Sequence, residues 1–306
     1  MFGIHHSEPL LCTQNSALST QHLELRTQHS ELSMKRILTA AVGIPILLYT
    51  VWNDTPYFFA GLTTLAIILG LYEFYSLASR LELRVFGAGG YAAALVVAAA
   101  FVRNEPGWIV AAIAVLAVLS LGVALLRPEE ATHALASASA TVFGVIYVAL
   151  LAAFLIGVRM TPDTGATSQL AAKLLTTFFA MVMMTDTGAY YTGRSLGRHK
   201  LAPRVSPGKT IEGSIGGFIT AVVAGVMCRV VFFPQIPLLH VIVLGAVISL
   251  IGQVGDLAES LLKRGSEVKD SGSVFPGHGG MLDRVDSILF CAPILYYYSR
   301  LFISSF

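Results

Sequence analysis

Long, continuous apolar stretches constrain this chain more than any other feature, and they fall at residues 37–52, 57–77, 87–102, 108–126, 138–158, 170–191, 214–233, 238–254 and 287–306. A helix needs ~20 mainly apolar residues to cross the hydrocarbon core of a bilayer, where only helices and closed barrels satisfy every backbone N–H and C=O. These stretches are continuous rather than alternating, so they read as helices and not as barrel strands. The expected fold is therefore all-α: a polytopic integral membrane protein with about nine transmembrane helices. Composition agrees, since 55% of residues are hydrophobic and 12% charged, against ~25% charged in soluble domains. A net charge of +2 is too small for a general nucleic-acid binder, so no nucleic acid is expected as a partner.

The basic residues sort unequally between the two sides that nine spans create. One side receives Lys35, Arg36, Arg80, Arg84, Arg127, Arg194, Arg198, Lys200, Arg204, Lys209, Lys263, Arg264, Lys269 and Arg284. The other holds Arg103, Arg159, Lys173, Arg229 and Arg300. Cytoplasmic loops carry the excess of Lys and Arg. The N-terminus and both long polar segments are thus expected in the cytoplasm, and whatever those segments bind must be available there.

Residues 1–33 are polar, with the near-repeat TQHLEL and TQHSEL, and cannot bury a core. They read as a disordered extension preceding a membrane-embedded domain at 34–306, and Met34-Lys35-Arg36 reads as the natural start. Cys12, Cys228 and Cys291 are widely spaced and form no CxxC pattern, which suggests neither disulfides nor a zinc site.

Two polar segments carry the chemistry. The first, residues 255–287, reads GDLAESLLKRGSEVKDSGSVFPGHGGMLDRVDS. Asp256 and Glu259 are three apart, as are Asp283 and Asp286, so each pair shares a face where its segment is helical. Paired carboxylates invite a divalent cation, and hard oxygen ligands suit Mg²⁺, which completes its shell with water and substrate phosphates. Lys263, Arg264, Lys269 and Arg284 are placed to neutralise phosphate oxygens during phosphoryl or nucleotidyl transfer. Between the acid pairs, Pro276-Gly277-His278-Gly279-Gly280 forms a turn whose N–H groups can approach an anion closely.

The second segment, residues 186–217, begins at Asp186 near the end of an apolar helix, where an unpaired carboxylate is costly. A metal or a basic partner from the other segment would resolve that cost. Ser206-Pro207-Gly208-Lys209-Thr210 ends like a nucleoside-triphosphate P-loop. Pro203 stands where the motif requires its first glycine, and no strand is expected before it, so a Walker-type ATPase is rejected. Lys209 can still meet a phosphate, and Glu212 is either a ligand or an acid at a helix N-terminus.

Residues 260–286 resemble the signature segment of the phosphatidate cytidylyltransferase (CDP-diacylglycerol synthase) family, with Ser260/Lys263/Arg264, Lys269/Asp270, Pro276/His278/Gly279/Gly280 and Asp283/Arg284/Asp286 in register. Residues 186–217 resemble the family's second region through Asp186/Ala189/Tyr190 and Ser206/Pro207/Lys209/Thr210/Glu212/Gly213. The resemblance implies a Mg²⁺-dependent reaction of CTP with phosphatidic acid, giving CDP-diacylglycerol and pyrophosphate for phospholipid biosynthesis. It implies a homodimer in the inner (plasma) membrane, embedded in the lipid bilayer with its site facing the cytoplasm, and leaves room for a second, monovalent cation. By the same resemblance, Asp256, Asp270, Asp283 and Asp186 are metal ligands, with Asp286 a further ligand or orienting acid. Lys263, Arg264, Lys269 and Arg284 hold the triphosphate and the lipid headgroup. Ser206, Lys209, Thr210, Glu212, Ser260, His278, Gly279 and Gly280 complete the substrate site. A CTP-using kinase of polyprenyl or phytyl alcohols has a similar membrane plan, but the complete match over 260–286 argues against it. A secondary transporter would spread its polar residues among the spans and show paired repeats between the halves, and neither is seen here.

Overall fold

The computed structural model describes residues 41–126, 132–161, 169–272 and 279–302. The polar extension 1–33, Met34-Lys35-Arg36, the first residues of the first expected span, Arg127 and His278 lie outside the described residues. Among the described residues there are nine helices: α1 (Ala41–Trp52), α2 (Tyr57–Arg80), α3 (Gly87–Arg103), α4 (Gly107–Leu125), α5 (Ala134–Arg159), α6 (Leu170–Leu196), α7 (Ile211–Val231), α8 (Leu238–Gly265) and α9 (Leu282–Phe302). Six of them, α2 and α4 to α8, are long and apolar enough to cross a membrane. α1 and α3 are shorter apolar helices, and α9 opens with a polar turn.

The helices alternate in direction, and side-chain contacts at their ends fix which termini share a side. At one end, the Arg159 guanidinium donates from the end of α5 to the Val51 and Asn53 carbonyls at 3.1 and 2.5 Å. It thereby satisfies acceptors that the C-terminus of α1 leaves open. At the other end, the C-terminal parts of α2, α6 and α8 meet the N-termini of α7 and α9, and both polar segments lie there.

Two apolar clusters hold the bundle. One centres on α6 and includes Leu174, Phe178, Met181, Ile248 and Leu295. The other joins α2, α3 and α5 through Ile67, Leu71, Val97, Val148 and Ala153. α9 belongs to both, with Leu295 and Cys291 in the first and Leu282 and Leu289 in the second. Any shift of α9 therefore disturbs both clusters. α5 carries a π-helical turn at Val145–Leu150.

The most extensive helix pair is α6 with α7, and small residues make it possible. A Cβ at Gly217 would stand 2.7 Å from the Thr185 carbonyl oxygen, and one at Gly216 would meet the Thr192 hydroxyl at 2.2 Å. Thr220 Oγ1 donates across the seam to the Met184 carbonyl at 2.7 Å. Close backbone approach through small residues is how helices gain packing energy where lipid supplies no hydrophobic contrast.

Three expectations are corrected. α6 runs past residue 191 to Leu196, so Asp186 lies about three turns inside a helix rather than near its end. α8 runs past residue 254 to Gly265, and α9 starts at Leu282, so much of the segment 255–286 is helix rather than loop. A strand does precede Gly208: β1 (Lys200–Ala202) pairs antiparallel with β2 (Ser206–Thr210), with Lys200 opposite Thr210 and Ala202 opposite Ser206. This hairpin is the one departure from an all-helical plan among the described residues, and the turn at 203–205 holds Pro203 outside both strands.

Candidate active site

The hairpin is anchored before it is functional. Thr210 is the N-cap of α7, and its hydroxyl accepts from the Gly213 N–H at 3.1 Å. The Glu212 carboxylate accepts from the Arg198 and His199 N–H groups at 3.0 and 3.2 Å, and lies 2.6 Å from His199 Nδ1. Glu212 thus ties the end of α6 to the start of α7. Arg264, in the last turn of α8, donates to the Val205 carbonyl at 3.4 Å and holds the hairpin turn from the other side.

So fixed, β2 points Lys209 at α8, where its ammonium lies 2.5 Å from Asp256 Oδ2. A cleft of about 480 Å³ opens beside this pair, bordered by Asp186, Tyr190 and Arg194 of α6, Ser206, Gly208, Lys209 and Thr210 of β2, Ser214 of α7, and Gln253 and Asp256 of α8. Gln253 is held by the Ser214 hydroxyl and by Ser249 at 3.1 Å. Asp286 is buried in the first turn of α9, whose backbone packs against Gly255 of α8, where a Cβ would stand 2.7 Å from the Asp286 carbonyl oxygen. The structure therefore brings Asp186 and Asp256 together with Lys209 around one cleft, from three separate elements, while Asp286 is not among the residues that border it.

The acid pairs read at three-residue spacing divide between two places. Asp256 faces the cleft, whereas Glu259 is fully buried and pairs with Lys263 one turn on. Lys263 also donates to Asp283 Oδ1 at 2.6 Å. Asp283 Oδ2 accepts from the Ser271 N–H at 3.1 Å and the Gly280 N–H at 2.8 Å. Burial opposes ionisation of Asp283, yet the Lys263 ammonium and the Gly280 N–H outweigh it and hold the carboxyl below its usual value. Lys263, Glu259 and Asp283 therefore form a closed internal triad between α8 and α9, apart from the residues that border the cleft.

The glycines of the turn serve this triad. Gly279 has φ +77°, and a Cβ there would stand 2.8 Å from the Asp283 carboxylate. The Gly280 N–H, expected to face a bound anion, faces Asp283 instead. Lys269 and Asp270 are exposed, and Asp270 borders a different cleft with Tyr72, Ser76 and Arg80, so it is not brought beside Asp256. Ser260 is half-buried on α8. Arg284 borders an apolar cavity of about 310 Å³ lined by Leu47, Phe59, Ile67, Phe179 and Ile288.

Sequence reasoning missed Glu73 of α2. Its carboxylate, almost wholly buried, accepts from the Met281 N–H at 2.9 Å, the Leu282 N–H at 2.8 Å and the Ser271 hydroxyl at 3.0 Å. The available signal was a lone carboxylate inside an apolar run, a placement that membrane helices rarely tolerate without a role.

Carboxylates and a lysine thus converge on a cleft between membrane helices, and comparison with known proteins says which family builds such a site. The model of the cytidylyltransferase family matches residues 34–302. The chain belongs to that family. Among cytidylyltransferase relatives, a phosphatidate cytidylyltransferase of Bacillus subtilis (strain 168) is 42% identical over 159 residues, covering 51% of this chain and 56% of that protein. A phosphatidate cytidylyltransferase of Staphylococcus aureus (strain COL) is 49% identical over 119 residues, 38% of this chain and 45% of that protein. The uncharacterized protein YnbB of Escherichia coli (strain K12) is 39% identical over 160 residues, 52% of this chain and 50% of that protein. The chain spans about half the length of the curated relatives it matches.

Proposed function

We propose that this protein is a phosphatidate cytidylyltransferase: an oxygen of the phosphatidate phosphomonoester attacks the α-phosphorus of CTP, the bond from that phosphorus to the bridging oxygen breaks, and pyrophosphate leaves. The observation that carries this reading is the cleft where Lys209 meets Asp186 and Asp256, carboxylates set about two to three turns in from the C-terminal ends of membrane-crossing helices, in a member of the cytidylyltransferase family. A site so placed can meet a water-soluble nucleotide from one phase and a lipid headgroup from the other.

The donor set fits Mg²⁺. Among the described residues no three His, Cys, Asp or Glu side chains gather closely enough to hold a metal ion unaided. One or two carboxylates is nevertheless the usual protein share for Mg²⁺, with waters and substrate phosphates supplying the rest. Asp256 and Asp186 would hold it, and when bound it supplies charge neutralisation at the phosphate oxygens. Asp270, Asp283 and a monovalent cation remain proposals that rest on resemblance.

Lys209 provides a point charge for the triphosphate and exchanges Asp256 for a phosphate oxygen as nucleotide enters. Ser206 and the hydroxyl-bearing strand end border the same space and orient the chain of phosphates. Arg284 borders the apolar cavity, which suits the phosphate of a lipid whose acyl chains occupy apolar surroundings. No general base is required, because a phosphate monoester is ionised at neutral pH, and catalysis is positioning with charge neutralisation. The excess of Lys and Arg on the side of the cleft supports a cytoplasmic-facing site in the plasma membrane. A homodimer is the assembly the resemblance implies.

The test is product identification. Purified protein given phosphatidic acid, Mg²⁺ and each of CTP, ATP, GTP and UTP in turn is expected to form a nucleoside-diphosphate lipid with CTP, detected by mass. Phosphorylation of a polyprenol with no CDP-lipid would favour a lipid-alcohol kinase instead.

A further inference from the structure

We propose that Glu73 is a positioning residue for nucleotidyl transfer, clamping Ser271, in the segment that leads from α8, to Met281 and Leu282 at the start of α9. Its two oxygens accept from the Ser271 hydroxyl and from the Met281 and Leu282 N–H groups, at 2.8 to 3.0 Å. Leu282 opens α9, so a carboxylate from a helix about two hundred residues earlier satisfies N–H groups that a helix start leaves unpaired, at the positive end of its dipole.

The fit around Glu73 is tight. A Cβ at Gly272 or at Gly280 would stand 2.4 Å from a Glu73 carboxylate oxygen, so both glycines are needed for the segment to close on it. The Ser271 hydroxyl also lies 3.0 Å from Asp283 Oδ2. One hydroxyl carries one proton, so Ser271 donates to Glu73 or to Asp283 at any moment, and the Ser271 and Gly280 N–H groups keep Asp283 satisfied when it gives to Glu73. A continuous buried chain thus runs from Glu73 through Ser271 and Asp283 to Lys263 and Glu259, joining α2, α8 and α9.

The residues that Glu73 orients are those immediately beside its contacts: Lys269 and Asp270 before Ser271, and Arg284 and Asp286 after Leu282. Glu73 borders neither the Asp186–Lys209–Asp256 cleft nor the apolar cavity under Arg284, so it acts through them. The inference rests on the cytidylyltransferase reading for its effect on turnover, but not for the clamp itself.

Two readouts separate these. Hydrogen–deuterium exchange is measured on the full-length protein and on Glu73→Gln, whose amide keeps the volume and sets an NH₂ against one of the donors. Exchange in peptides covering residues 279–286 is expected to quicken at least tenfold while α6 and α7 stay unchanged; unchanged exchange at 279–286 would overturn the clamp. Turnover is then counted per CTP-binding molecule, which removes any loss of folded protein. Glu73→Gln is expected to lower it at least tenfold with the KM for CTP within threefold of wild type, and Glu73→Asp to recover part of the loss. Unaltered turnover per CTP-binding molecule would overturn the positioning role. Wild-type protein that forms no CDP-lipid, with the exchange difference present, would overturn the activity and leave the clamp standing.

Discussion

Lys209 Nζ lies 2.5 Å from Asp256 Oδ2, so an ion pair between the hairpin and α8 is made by two residues that nucleotide and metal would compete to separate. The hairpin has no apolar core of its own, and this contact with the Arg264 and Glu212 anchors sets its position. A charge-assisted contact to a phosphate contributes about 1.5–3 kcal/mol. Lys209→Met is therefore expected to lower kcat/KM for CTP by roughly 10- to 100-fold, read from initial rates of pyrophosphate release, with the elution profile of the protein unchanged.

The buried triad predicts a different kind of defect. Lys263 is the shared partner of Glu259, which is 0% exposed, and of Asp283. Removing one member of a buried ion pair costs about 3–5 kcal/mol, because the other charge is left without compensation. Lys263→Met is expected to lower the apparent melting temperature in detergent markedly. The double variant Glu259→Leu with Lys263→Met is expected to recover at least half of that loss, since it removes the fully buried stranded carboxylate while Asp283 keeps the Ser271 and Gly280 N–H donors. Additive losses in the double variant would mean that the two side chains do not interact.

Packing of α6 on α7 is tested at glycine. At Gly217 a Cβ would press on the Thr185 backbone, which cannot rotate away, whereas at Gly61 of α2 it would meet nothing within 4 Å. Gly217→Ala is expected to destabilise by about 1–3 kcal/mol as an overpacked contact, and Gly61→Ala to be neutral or slightly stabilising. Thermal unfolding of the two variants side by side reads the difference.

Much of this architecture is legible in the sequence, because an apolar run long enough to span a bilayer has few alternatives to helix. Helix ends at the site were misplaced for a physical reason. Polar residues such as Asp186 and Arg194 of α6 and Asp256 of α8 border the cleft, and Glu259 and Lys263 belong to the internal triad, so hydropathy falls while the helices continue. The hairpin was not legible, since KLA and SPGKT carry little β-propensity and are held by Glu212 and Arg264 from outside. Spacing placed Asp256 with Glu259 because residues three apart differ by about 60° around a helix. Here α8 is wedged between β2 and α9, and that angle is enough to send one carboxylate to Lys209 and the other to Lys263. Glu73 stayed hidden because its partners lie about two hundred residues away.

The proposed cytoplasmic facing of the cleft rests on the sorting of basic residues between the two sides. Single cysteines at Arg198 and Lys269, in a variant lacking the native cysteines, are expected to resist a membrane-impermeant maleimide in intact cells and to react after permeabilisation. A cysteine at Asn104 is expected to react in intact cells. The reverse pattern would place the cleft on the outer face.

The central claim is that CTP is joined to phosphatidic acid at the cleft formed by Asp186, Lys209 and Asp256. Parallel measurement of CTP- and phosphatidate-dependent pyrophosphate release by wild type and Asp256→Asn, in equal amounts and with Mg²⁺, tests it most directly. Wild type is expected to release pyrophosphate in step with CDP-lipid, and Asp256→Asn to lose about 10²–10³ of that rate, the scale of removing one group that stabilises transition-state charge. Equal rates in the two proteins, or no release by wild type, would contradict it.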